Sequence, residues 1–108
     1  MSEERIKTSL WVSAEIKRCE GLCLPVMVLH KGDMDRGLVL IKHYVAGQGC
    51  ILYVQRRDME GILSWAKPLS DDFIPENEAD DYIIRQRKFD EDLWVIEVED
   101  PRNIYAPR

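Results

Sequence analysis

The chain has 108 residues, 45% of them hydrophobic and 32% charged, which suits one compact domain and leaves no room for a second core. Its formal charge of -5 argues against unspecific attraction to nucleic acid or to an anionic membrane, both of which need clustered Lys and Arg, and no apolar run approaches the roughly 20 residues that span a bilayer. The opening MSEERIKTSLW carries acids and no apolar core, so it does not read as a secretory signal, and three cysteines without paired zinc spacing fit reduced thiols in a cytoplasmic protein.

Residues 8–22 read as a helix. Val12, Ile16, Cys19 and Cys23 recur at helical spacing, widened by Trp11 and Ala14, while Glu15, Lys17 and Glu20 are placed to face water. Thr8 or Ser9 is expected to cap the first turn and Gly21 to end the helix, with Pro25 barring continuation. Residues 25–31 form a strand, 32–37 a loop bounded by glycines, and 38–45 a second strand. The Leu38-Val39-Leu40-Ile41 run in that strand is apolar at consecutive positions, the pattern of a central strand covered on both faces. Gly47-Gln48-Gly49 permits a tight reversal into a third strand, 50–55. A polar loop, 56–61, precedes a weaker fourth strand, 62–69, which Pro68 marks as an edge or a strand end. Connections this short are expected to pair neighbouring strands antiparallel, as a meander.

An acidic linker containing Pro75 leads to a second helix over residues 76–88. Glu76, Glu78, Asp80 and Asp81 stand at its start and Arg85, Arg87 and Lys88 at its end, an order that complements the helix dipole, and Asp81 and Arg85 are spaced for an ion pair. Asp90-Glu91-Asp92 turns the chain into a fifth strand, 93–98, with Trp94, Ile96 and Val98 on one face and Leu93, Val95, Glu97 and Glu99 on the other. Trp94 is expected under the second helix, against Ala79 or Ile83. The tail, 101–108, is expected along the surface with Ile104 and Tyr105 as anchors. The whole reads as one α+β domain, residues 1–108: a mainly antiparallel sheet of about five strands with two helices packed on one face.

The stretch Arg85-Gln86-Arg87, Asp90, Asp92-Leu93-Trp94-Val95 and Glu97, Glu99-Asp100 resembles the C-terminal signature of a family of small alphaproteobacterial proteins carried as a domain of unknown function. Trp11-Val12-Ser13-Ala14, Lys17-Arg18 and the Gly32-Asp33 loop before Leu40-Ile41-Lys42 match its earlier segments. The resemblance implies a single domain in a bacterial cytoplasm and transfers no catalytic, cofactor or partner residues.

Motifs for chemistry are sparse. Cys19 and Cys23 share a helix face and could join His30, His43 or Cys50 at a soft metal, but one wide pair is no zinc pattern, so no metal is expected. A cysteine nucleophile would need His30 or His43 as base. Glu97 and Glu99 alternate onto one sheet face, where they could act as an acid–base pair or simply meet a neighbouring Lys or Arg. Gly47-Gln48-Gly49 lacks the third glycine and following helix of a nucleotide loop, and no cofactor is expected. Lys17-Arg18, Arg56-Arg57 and Arg85, Arg87, Lys88 would bind single-stranded nucleic acid only if the fold merged them beside Trp11, Tyr44 or Tyr53.

The leading reading is a non-enzymatic interaction module working through a homodimer or another protein, with Arg85, Arg87, Glu97 and Glu99 as candidate surface. A small enzyme with a Cys/His or Glu-pair site is the second. The homodimer rests on the expectation that helices on one face leave the other face of the sheet bare.

Overall fold

The computed structural model describes residues 6–108. The elements are α1 (Thr8–Gly21), β1 (Val26–His30), β2 (Val39–Val45), β3 (Gly49–Arg57), β4 (Leu63–Ala66), α2 (Glu76–Phe89) and β5 (Trp94–Glu99). The expected α+β class and both helices are present, but the sheet is not the expected meander. Its order is β1-β5-β2-β3-β4, and it is mixed, because β5 enters between β1 and β2 and runs parallel to β2. The β2–β3 and β3–β4 pairs do follow the short-connection rule. What the rule missed is β5, which returns after the α2 crossover and takes the central place.

The helices also depart from expectation, since they lie on opposite faces. Alternation along β2 and β5 sends Val39, Ile41, Trp94, Ile96 and Val98 to one face, where they pack with Val12 and Cys19 of α1, with Leu24 and with Tyr105. Leu40, Leu52, Leu93 and Val95 point the other way and pack with Ala79 and Ile83 of α2. Trp94 is buried as an anchor should be, yet under α1, and its indole N–H donates to the Asp33 carbonyl at 2.7 Å. With both faces covered, the bare face on which the homodimer expectation stood does not exist. The two-sided apolar run of β2 is explained by this sandwiching, and all of its residues but Tyr44 are buried.

Local details follow from hydrogen-bond satisfaction. Thr8 does not cap α1. Its hydroxyl donates to the Gly37 carbonyl at 2.7 Å, and the Ser9 N–H is taken by the Met34 carbonyl at 2.9 Å, so the 32–37 loop itself satisfies the helix start. The apolar stripe stops at Cys19, because Cys23 lies past the helix end at φ 61 and is exposed. Glu15, expected in water, is buried. In α2 the ordered charges stand as expected, but Asp81 and Arg85 form no ion pair, and the Arg85 guanidinium lies 6.0 Å from the Tyr82 ring centre. Of the expected tail anchors Tyr105 is buried and Ile104 is exposed.

Gly32 and Gly37 both press on the Asp92 backbone carbonyl, which accepts from the Asp33 N–H at 3.0 Å, so a side chain at either position would collide with backbone. Gly32→Ala and Gly37→Ala should each lower stability by about 1–3 kcal/mol, the usual cost of forcing extra volume into a packed site. At Gly21 an added methyl meets nothing, so Gly21→Ala should be neutral or slightly stabilising. Thermal unfolding followed by circular dichroism orders the three; a Gly37→Ala variant as stable as the parent would show that the loop retreats freely.

Candidate functional site

Polar residues gather in three places. On the α2 face, strand alternation turns Lys42 inward, where 3% of it remains exposed. Its ammonium donates to Glu76 at 2.7 Å and Asp80 at 2.8 Å, and Glu97 lies 3.7 Å away. Burial pulls the Lys42 ammonium down, but these hydrogen bonds and charges outweigh it and hold the group well above its ordinary value. Burial pushes Glu97 up in spite of Lys42. This arrangement ties the first turns of α2 to the sheet centre.

On the α1 face, His43 Nε2 pairs with Asp100 Oδ2 at 2.8 Å, and the same oxygen accepts the Tyr105 N–H at 2.7 Å. Tyr105 donates its hydroxyl to Glu15 at 2.7 Å, and Glu15 receives two further bonds from Arg18, whose guanidinium also donates to the Ala106 carbonyl. Burial pushes Glu15 up, but the bonds from Arg18 and Tyr105 outweigh it and hold its carboxyl below the usual range. Asp100 is likewise lowered against its burial by the Tyr105 N–H and His43. His43 Nδ1 and Asp100 Oδ1 are buried without partners among the described residues. This network fastens the tail to α1.

The third place is open to solvent. β1 is an edge strand, and its last residue, His30, lines an open groove of about 370 Å³ together with Ile84, Arg87 and Lys88 of α2 and Glu91 just beyond it. His30 Nδ1 donates to the Leu93 carbonyl at 2.7 Å, which fixes the ring, and Nε2 has no hydrogen-bond partner among the described residues. Neither Arg87 nor Lys88 has an ion-pair partner among the described residues.

The residues singled out from sequence therefore occupy separate surroundings. Arg87 lines the groove, Arg85 lies over Tyr82, Glu97 turns in toward Lys42, and Glu99 is exposed at the end of β5. The basic groups are divided too, with Lys17-Arg18 on α1 and Arg85, Arg87 and Lys88 on α2, across the sheet from one another. Burial pushes the thiols of Cys19 and Cys50 up to about 11, which leaves them protonated near neutral pH. His30 and His43 are engaged by Leu93 and Asp100, so no cysteine–histidine hydrogen bond forms. Among the described residues no group of three or more His, Cys, Asp or Glu is placed to hold a metal ion. Sequence reasoning missed Lys42 and the His43, Asp100, Glu15 and Tyr105 network. The available signal was Lys42-His43 in the middle of an otherwise apolar strand, where a polar side chain has to find a buried partner.

The fold is that of a small α+β domain whose mixed five-stranded sheet has a helix on each face. Residues 6–105 match the family described as "Protein of unknown function (DUF1491)", and the chain belongs to that family. Among solved structures it is similar to a DUF1491 family protein from Caulobacter crescentus CB15. The crystal structure of that protein aligns with a TM-score of 0.81 and 33% identity, over 90% of each chain. An NMR structure of a DUF1491 family protein from the same organism gives 0.80 and 31%, over 93% of this chain and 90% of that one. Protein Atu0922 from A. tumefaciens gives 0.76 and 25%, over 90% of this chain and 87% of that one. The resemblance to alphaproteobacterial proteins of unknown function is thus borne out. No curated protein matches the chain, and no helix among the described residues is long and apolar enough to cross a membrane.

The tail network makes a pH-dependent prediction. Tyr105→Phe removes a hydrogen bond to an ionised, buried carboxylate and should cost about 1.5–3 kcal/mol at neutral pH. Glu15 is lowered in the folded state, so its stabilisation is complete above the unfolded pKa and is lost as pH falls through the folded one. The deficit of the variant should therefore shrink on acidification below about pH 4. Urea unfolding of both proteins across that range checks it; a deficit independent of pH would mean that the hydroxyl does not serve the Glu15 carboxylate.

Proposed function

We propose that this protein is a non-enzymatic interaction module that takes up an extended segment of another protein along β1. The observation that carries this reading is the character of β1. Met27, Val28 and Leu29 are exposed in succession, at 59%, 41% and 39%, and β1 itself contains no Lys, Asp, Glu or Pro to guard the edge. A run of exposed apolar side chains on a free edge commonly marks an interface.

Backbone geometry supports it further. The Glu99 N–H is bonded to the Pro25 carbonyl, and Val26 faces Val98, so antiparallel alternation directs the N–H and C=O of Val26 and Val28 away from β5. These groups form a ladder half open to an added strand. The other edge, β4, has only four residues. The cysteine and carboxylate chemistry considered for an enzyme lacks an assembled site among the described residues, since the buried thiols of Cys19 and Cys50 are protonated, no cysteine–histidine hydrogen bond forms, and Glu97 and Glu99 have different surroundings.

Val28→Pro is a selective test, because it removes an outward N–H and spares the β1–β5 ladder. Titrated with a blocked peptide of alternating Thr and Val, the parent protein should show amide shifts at Val26 and Val28 in 15N NMR spectra, and Val28→Pro, with an unchanged melting temperature, should not respond. Light scattering is read alongside. A concentration-dependent dimer abolished by Val28→Pro would assign the edge to a second copy, and absence of any β1 response to peptide would overturn the proposal.

A further inference from the structure

We infer that the segment added to β1 carries a carboxylate, held in the groove between β1 and α2, two residues along from an apolar side chain. This rests on the strand-addition reading and extends it to the chemistry of the partner. A strand laid along β1 has one set of side chains on the α2 face. On that face β1 presents Met27, opposite Glu97, and His30, opposite Val95, with a bulge between Val28 and His30. The bulge adds a residue to β1 alone, so partner positions opposite Met27 and His30 are two apart, as 97 and 95 are in β5.

The surroundings of the two positions differ. Met27 presents an exposed apolar side chain, next to Glu97 of β5. Beside His30, whose ring is held by the Leu93 carbonyl, the groove offers the Arg87 guanidinium and the Lys88 ammonium over the exposed side chain of Ile84. Arg87 and Lys88 stand in the last turn of α2, where they offset the negative end of the helix dipole. That role leaves them without a side-chain partner, ready to meet an incoming anion. Glu91 is the one carboxylate of the lining, so two permanent positive charges stand against one negative, which suits a single acid and disfavours two. A carboxylate accepts from the Arg87 guanidinium and the Lys88 ammonium in charge-assisted hydrogen bonds, whereas a cationic side chain would meet repulsion from both.

Three blocked pentapeptides probe this: Thr-Val-Thr-Glu-Thr and its Gln and Lys analogues, titrated by NMR into the parent protein and into an Arg87→Gln, Lys88→Gln double variant. The Glu peptide should bind the parent about five-fold more tightly than the Gln peptide, the scale of an exposed ion pair, and the Lys peptide more weakly than either. The double variant, whose changes lie on an exposed helix face, should stay folded with a melting temperature lowered only slightly by the lost helix-dipole charges, keep its affinity for the Gln peptide and lose the preference for Glu. Equal binding of the Glu and Gln peptides, with β1 amides shifting in both, would overturn the carboxylate inference and leave strand addition standing. So would a Glu preference that survives in the double variant. If no peptide shifts the β1 amides, both proposals fall.

Discussion

The parallel ladder between β2 and β5 is the contact on which the others depend. It joins Leu40 to Val95 and Ile41 to Ile96 at the centre of the sheet, and both strands are buried there on both faces. A parallel pair cannot be closed by a tight turn, so the chain must leave the sheet and return by a crossover. The intervening β3, β4 and α2 form that crossover. Because β5 then also pairs with β1, the first hairpin suggested by chain order is opened and β1 is pushed to the margin. The exposed edge and the groove beside it are thus products of the same insertion that makes the core.

Two polar fastenings hold the layers onto this ladder, one on each face. They use neighbouring residues of one strand, Lys42 and His43, which alternation sends in opposite directions. Lys42 secures α2 through carboxylates that are half exposed, so water can share the load. His43 secures the tail through Asp100, fully enclosed, where each missing partner costs more. The α2 side is accordingly built for a helix in contact with solvent, while the α1 side is sealed by Tyr105.

Much of this was legible in the residues, and what was not has a physical cause. The change from helical to strand spacing near Asp90, the charge order of α2 and the consecutive apolar residues of β2 each depend on near neighbours in sequence, and each agrees with the structure. The order of the strands depends on which distant strand offers the better ladder for β5, and no local pattern encodes that choice. Consecutive apolar residues in β2 require cover on both faces, which two helices supply only by lying one on each. Glu15 misled by residue type, since its hydroxyl donor, Tyr105, lies 90 positions away. At the candidate site Arg87 could be named from the helix end, but His30 joins it only because the bulge in β1 turns that ring toward α2.

The central place of β5 has a consequence for synthesis. Strands β1 to β4 emerge from the ribosome first, yet β1 and β2 are not partners, and the edge of β2 has no β5 to pair with. Until β5 has left the ribosome, the growing chain can hold only the β2–β3–β4 ladder, with an unpaired hydrophobic edge. Closure of the core therefore waits for β5, and the edge of β2 is the place where the partly synthesised chain is most exposed to aggregation.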